Sequence, residues 1–214
     1  MRLPMRELRF IAVEGVIGAG KTTLAQELAN KLHAGLILEE FEDNPFLSKF
    51  YANPRQYAFH TQIYFLLSRY RQQRKIAQMD LFHSRIVSDY LFAKDRIFAE
   101  VNLSEEEFSL YEKIYLLVEK EIPHPDIVIY LQSPPDILYK RIKQRNRSFE
   151  REIEYEYLER LCNAYNSFFI HYNSSSLLII NIKNFDFLTN PADIELVYQE
   201  IIRMRVPRKI ISKE

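Results

Sequence analysis

The chain has 214 residues, 47% hydrophobic and 27% charged, enough for one domain with a sizeable core. Its 29 basic and 29 acidic side chains cancel to a formal net charge of +0, which speaks against a general nucleic-acid coat, since that needs a basic face. A single cysteine, Cys162, gives no disulfide framework, and no apolar run approaches the ~18 residues that span a bilayer, so a cytoplasmic protein without membrane contact is expected.

The opening MRLPMRELRF has no apolar stretch of signal-peptide length. FIAVE, Phe10 to Glu14, is a β-branched run closed by glycine and reads as a buried strand. After it, Leu24, Leu28 and Leu32 recur at helical spacing, with Gly35 expected at the C-cap. LILEE reads as strand two. A helix is expected from Pro54 to about Gln78, with Phe59, Ile63, Leu66 or Leu67, and Tyr70 on one side. RIVSD, Arg85 to Asp89, reads as strand three. Helices follow over about 91–119, broken near NLSEEEF, where Ser104 is placed to cap the second.

DIVIYLQ, Asp126 to Gln132, is a fourth strand, and PDILYKRIKQ is a helix with Pro135 in its first turn. A helix over about 153–171, a fifth strand at LLIINI and a last helix from near Pro191 lead to a basic tail at about 203–214. Strands alternate with helices and are continuously apolar. That pattern predicts an α/β domain over 1–214, with a five-stranded parallel sheet covered by helices on both faces. Ligands of such sheets bind at the carboxyl ends of the strands. Cys162 falls in an apolar helical context and reads as a small core residue. The histidines His33, His60, His83, His124 and His171 show no metal-ligand spacing and read as surface or local hydrogen-bonding groups.

Three of the four glycines lie in one short stretch, EGVIGAGKTT. Gly15 to Thr22 fits G-x-x-x-x-G-K-[ST] between a strand and a helix. In that setting, backbone N–H groups from Gly15, Val16, Ile17, Gly18, Ala19 and Gly20 can turn inward on an anion, aided by the helix N-terminus at Lys21 to Thr23. Lys21 would reach the β- and γ-phosphates of ATP, and the Thr22 hydroxyl would serve Mg²⁺. The acceptor of the phosphoryl group has to be read elsewhere. Glu39 or Glu40, at the end of strand two, could take a proton from an attacking hydroxyl. Gln62 and Arg69 share a helix face suited to a flat nucleobase. Asp89 is placed to hold Mg²⁺, and Asp95 follows it in the next helix. Arg141, Arg145 and Arg147 gather at a helix end, where they could close as a lid over about 141–152 and stabilise charge on the transferring group.

At these residues the chain resembles the deoxynucleoside kinase family (deoxycytidine, deoxyguanosine and deoxyadenosine kinases) over nearly its whole length. The resemblance implies a P-loop kinase fold and transfer of a phosphoryl group from ATP to the 5′-hydroxyl of a deoxynucleoside in nucleotide salvage. It assigns the base for that hydroxyl to Glu39, in EEFEDNPFL, although Glu40 stands where the family usually has proline. It implies that Tyr51, eleven residues before Gln62, and Glu150, the last residue of R-x-x-x-R-x-R-x-x-E, hold the sugar 3′-hydroxyl. Gln62, Arg69 and Asp95 then read the base, with preference running from deoxyadenosine through deoxyguanosine to deoxycytidine. Asp186 and Phe187, in NFDF, fall where adenine of ATP would stack, and family members are commonly dimers.

One departure stands out. The family's acid-Arg-Ser reads Asp89, Tyr90, Leu91 here, so Lys94 or a lid arginine is expected to replace the missing guanidinium. Two rivals remain at this level. A nucleoside monophosphate kinase of the thymidylate kinase type would need extra arginine near strand two or three, where this chain has acids. A non-catalytic ATP-binding relative would be favoured by Tyr90 alone.

Overall fold

The computed structural model of the protein describes residues 8–76, 84–147 and 150–213. The opening residues 1–7, the expected end of the helix near Gln78, His83 and residues 148–149 of the expected lid lie outside the described residues.

Six strands form one parallel sheet: β1 (Phe10–Gly15), β2 (Gly35–Ile37), β3 (Ile86–Ser88), β4 (Ile127–Gln132), β5 (Ser176–Asn181) and β6 (Arg208–Ser212), in the order β2-β3-β1-β4-β5-β6. The α/β class, parallel sheet and helices read from the sequence are therefore observed, with one strand more than the five expected. The extra strand is the basic tail. Its residues pair with β5 from Leu177↔Arg208 to Asn181↔Ser212. Charged edge positions hid it, since Arg208 and Lys209 read as a solvated run although Ile210 and Ile211 carry strand propensity.

The described helices are α1 (Lys21–Leu32), α2 (Leu47–Ala52), α3 (Pro54–Arg74), α4 (Lys94–Asn102), α5 (Glu105–Glu119), α6 (Pro135–Arg145), α7 (Tyr155–His171) and α8 (Pro191–Arg203). Short α2 had no signal beyond four apolar residues in six and was not anticipated. Gly35 does not cap α1. His33 takes the left-handed conformation at φ 49° and its N–H turns back to Ala29 and Asn30, while Gly35 already opens β2. Ser104 caps α5 as expected, in a reciprocal capping box with Glu107.

The main core lies between the sheet and α1, α4, α6, α7 and α8, with Ile11, Val13, Ile129, Leu178 and Ile180 fully shielded. It includes Cys162, in agreement with the sequence reading. A second cluster joins α3, α4 and α5 through Leu66, Phe92, Ala99, Tyr111 and Tyr115. Of the two leucines offered for the α3 face, Leu66 is the buried one and Leu67 is exposed. The strand order reverses around β1, because β2 and β3 lie on one side of it and β4 to β6 on the other. Loops leaving β1 and β3 therefore diverge and open a crevice at the strands' carboxyl ends.

Candidate active site

The loop after β1 turns through Gly18 at φ 87° and Gly20 at φ 90°, a region closed to most L side chains. A Cβ on Gly18 would also press on the Leu138 carbonyl and the Ile142 side chain at 3.1 Å, so α6 closes that side of the loop. Lys21 begins α1 and folds its ammonium back over the loop, donating to the carbonyls of Gly15 at 2.8 Å and Val16 at 3.3 Å. Burial lowers its pKa, and the Lys94 charge adds to that effect. Thr22 donates its hydroxyl to Asp89 Oδ2 at 2.6 Å.

Parallel register brings the ends of β2 and β3 together. Ser88 stands opposite both Ala12 and Ile37, so Asp89 emerges beside residues 38 and 39. The Asp89 N–H donates to the Ile37 carbonyl, and its Oδ1 accepts from the Glu39 N–H at 2.8 Å. Asp89 thus ties the hydroxyl of Thr22 to the backbone of Glu39. A hydroxyl and a carboxylate are hard oxygen donors and suit Mg²⁺, which is commonly held by one or two such groups plus substrate phosphates. No cluster of three or more His, Cys, Asp or Glu occurs among the described residues, so a site built wholly from protein ligands has no counterpart there.

Between Glu39 and Glu40 the structure chooses. Glu39 faces inward, while Glu40 reaches outward toward Lys75 with both side chains largely exposed. Glu39 Oε1 accepts from Arg69 Nε at 2.8 Å and also from a second Arg69 nitrogen, and its Oε2 accepts from Lys94 Nζ at 2.6 Å. Burial alone would raise the Glu39 pKa, but the Lys94 and Arg69 charges outweigh it and hold the carboxyl well below the usual carboxylate range. Arg69 also donates to Asp95 Oδ1 at 2.5 Å. Burial pushes Asp95 up to about 6, against the pull of Arg69 and with the help of the nearby Glu39 charge.

A cavity of about 120 Å³ is lined by Lys21, Thr22, Glu39, Arg69, Asp89 and Lys94 and also by Tyr51, Arg145, Arg147 and Glu150. Phe41, Leu47, Phe65 and Phe98 give it apolar faces. Arg145 donates to both oxygens of Glu150, at 3.2 and 2.5 Å, and Arg147 lies 5.1 Å from the Phe41 ring centroid. The phenol of Tyr51 stays protonated, since burial and the charges of neighbouring groups raise its pKa.

Several expected site residues fall outside this wall, among them Gln62, Asp95, Arg141, Asp186 and Phe187. Gln62 is buried on α3, and its Oε1 lacks a partner among the described residues. Asp95 lies behind Arg69 with Oδ2 equally unpartnered. Arg141 donates instead to the Phe185 carbonyl at 3.1 Å, which ties α6 to the loop after β5. In that loop the Asp186 carboxylate is engaged by Leu188, Thr189 and the Thr189 hydroxyl, while Phe187 approaches the phosphate loop, 3.6 Å from where a Gly20 Cβ would sit.

Sequence reasoning missed the aromatic walls and left Lys94 as one candidate among several. Phe65 and Phe98 each lie four residues after or before a site cation on the same helix face, Phe65 before Arg69 and Phe98 after Lys94, a spacing that carries the signal. Tyr90 points away from the cavity, into a third apolar cluster with Phe10, Ile37, Ile76 and Ile86.

A glycine-turned loop feeding a helix, with carboxylates from the two neighbouring strands facing it, defines a P-loop phosphotransferase. Comparison with known proteins narrows this. Residues 11–206 match the family model described as deoxynucleoside kinase, and the chain belongs to that family of kinases. It is 37% identical to a deoxyguanosine kinase of Bacillus subtilis (strain 168) over 198 residues, covering 90% of this chain and 96% of that one. It is 38% identical to a deoxyadenosine kinase of Dictyostelium discoideum over 164 residues, 74% of this chain and 65% of that one. Among solved structures, a deoxyadenosine kinase from M. mycoides with bound dATP superposes with a TM-score of 0.79 at 29% identity, over 90% of this chain and 98% of that one.

Proposed function

We propose that this enzyme transfers the γ-phosphoryl group of ATP to the 5′-hydroxyl of a purine deoxynucleoside, deoxyadenosine or deoxyguanosine, as one domain acting in cytoplasmic nucleotide salvage. The observation that carries the reading is Glu39, an ionised carboxylate on the same cavity as Lys21 and Thr22 and fixed through its own N–H by Asp89.

ATP phosphates lie on Gly15 to Thr23 in this reading, with adenine near Asp186 and Phe187. Thr22 and Asp89 would hold Mg²⁺, which when bound neutralises charge on the β- and γ-phosphate oxygens. Tyr51 and Glu150, which both line the cavity, hold the 3′-hydroxyl. Glu39 Oε1 is taken up by two bonds from Arg69, but Oε2 keeps a second lone pair beyond its bond to Lys94, so the 5′-hydroxyl can still donate to it. A carboxylate held this acidic is a weak base. Its work is to orient the hydroxyl and take the proton late, which suits a loose phosphoryl-transfer transition state. Arg145 and Arg147 sit where charge spreads on the transferring group, and Arg141 braces them from the donor-base loop.

Unpartnered acceptors support an amino-bearing base. Gln62 Oε1 and Asp95 Oδ2 are buried without donors among the described residues, and adenine, guanine and cytosine all present exocyclic N–H donors that thymine lacks, so the preference for purines rests on the family resemblance. Matched polar groups of this kind discriminate strongly against an analogue that lacks them. Leu67 on α3 and Leu110 and Leu117 on α5 are exposed apolar side chains, which supports a homodimer built on that helix pair.

The deciding experiment measures phosphate transfer from ATP with Mg²⁺ to a panel of deoxynucleosides and their monophosphates, with Glu39→Gln beside the unaltered enzyme. Transfer to deoxyadenosine or deoxyguanosine, reduced by roughly two orders of magnitude or more in Glu39→Gln, is expected. Transfer confined to monophosphates would move the enzyme to the other kinase class, and ATP binding without any transfer would make it a non-catalytic relative.

A further inference from the structure

Lys94 opens α4 from inside the molecule. Only 4% of the residue is exposed, and its ammonium lies 2.6 Å from Glu39 Oε2 on the cavity wall. Burying an ammonium costs several kcal/mol unless its surroundings compensate. Here Glu39 lies on one side, and Glu14, at the end of β1, feels the Lys94 charge from below. An ammonium has three N–H donors. Glu39 is the one acceptor that Lys94 meets among the described residues, so the remaining N–H groups are available to a group entering the cavity beside the phosphate loop.

The other cations have partners of their own. Lys21 donates to the loop carbonyls, Arg69 to Glu39 and Asp95, Arg145 to Glu150 and Arg141 to Phe185, while Arg147 lies over Phe41 as Lys94 lies over Phe98. Tyr90 packs in the third apolar cluster and is not among the residues lining the cavity. Two cations touch the proposed base and line the cavity with Lys21, Thr22 and Asp89: Arg69 is also paired with Asp95, whereas Lys94 has Glu39 as its one side-chain acceptor among the described residues.

We propose that Lys94 is a catalytic residue whose ammonium spans the Glu39 carboxylate and the phosphoryl group in flight, stabilising the charge that spreads on its oxygens. The inference rests on the phosphoryl-transfer reading above. In the step, the 5′-oxygen forms a bond to the γ-phosphorus as the bond to the β,γ-bridging oxygen breaks. ADP leaves with that electron pair, and the hydroxyl proton passes to Glu39.

The test compares unaltered enzyme, Lys94→Ala and Lys94→Arg by steady-state kinetics with ATP, Mg²⁺ and the better purine deoxynucleoside. A positioned charge of this kind is worth about a hundredfold in kcat, so Lys94→Ala should lose about that while both KM values stay within about threefold. Lys94→Arg should keep activity within about tenfold, because a guanidinium can bridge the same two groups. Ethylammonium chloride should restore part of the lost kcat of Lys94→Ala in a saturable way, where sodium chloride at equal ionic strength does not. A filler of the core would not respond to a free amine.

The proposal is overturned if kcat of Lys94→Ala stays within about threefold of the unaltered enzyme, if the loss falls entirely in KM, or if the amine restores nothing. Should Lys94→Ala fail to fold, Lys94→Gln is judged by the same criteria. Absence of transfer by the unaltered enzyme would instead sink the phosphoryl-transfer reading itself.

Discussion

Buried charges in this protein are arranged in a chain: Asp95, Arg69, Glu39, Lys94, with Glu14 and Lys21 at its far end. Each member is expensive to bury alone, and each is bearable because its neighbours carry the opposite sign. Glu14 shows the same economy. Its oxygens accept from the Gly15 and Leu91 N–H groups at 2.8 and 2.7 Å and from the Tyr165 hydroxyl, which ties β1, the loop after β3 and α7 to one carboxylate. At the opposite extreme is Cys162, whose thiol burial pushes up to about 11. At pH 8 only about 0.1% of it is thiolate, against tens of per cent for an ordinary cysteine. Reaction with a thiol reagent at pH 8 is therefore expected to be slow in the native enzyme and fast in urea. With the folded pKa raised, this group's contribution to stability is complete below about 8.5 and is lost as pH climbs toward 11. Rapid labelling of native protein at pH 8 would contradict the assignment of Cys162 to the core.

At the scale of elements, α3 does unusual work for a long helix. Its shielded face carries Thr61, Gln62, Ser68, Arg69, Gln72 and Gln73 as well as Ala58 and Leu66. A helix that buries amides and a guanidinium forgoes apolar packing on that face, which is why its apolar period was a poor guide to its orientation. In contrast, α5 is held by local rules. Ser104 accepts from the Glu107 N–H at 3.3 Å, and Glu107 returns a bond from the Ser104 N–H at 3.0 Å. Ser104→Ala should lower stability by about 1 kcal/mol in urea denaturation, with kcat unchanged because α5 contributes no wall to the cavity. A loss of activity matching the loss of stability would mean that α5 governs the site through α3.

For the whole molecule, the edge strand β6 has a consequence beyond the sheet. Lys213, just past it, donates to Asp193 Oδ1 at 2.6 Å, and the same carboxylate accepts from the Asp186 N–H at 2.7 Å. The Lys213 carbonyl accepts from Asn184, and its ammonium lies 5.3 Å from the Phe185 ring centroid. The end of the chain thus braces the loop on which adenine of ATP is proposed to stack. Truncation after Val206 should lower Tm by roughly 5–10 °C in calorimetry, as expected for losing a few kcal/mol from a domain this size. It should also raise KM for ATP by more than KM for the deoxynucleoside. An equal rise in both would detach β6 from the donor side.

The sequence by itself determined the fold class and the glycine-rich loop, because each depends on local rules, and it left Glu39 and Glu40 both open as the proposed base until the family resemblance favoured Glu39. Continuous apolar strands require two covered faces, and a glycine-rich turn between strand and helix requires positive φ. Boundaries such as β2 and β3 shifted by one to three residues, since hydrogen bonding across the sheet sets where a strand ends. What only the tertiary structure decided are the pairings between distant segments. No local pattern puts Lys94 on Glu39 across fifty-five residues, sends Tyr90 into the core, turns Arg141 to the loop after β5, or pairs the charged tail with β5. Those choices follow from which partner relieves each buried charge or open strand edge, and that becomes defined only once the sheet has brought the segments together.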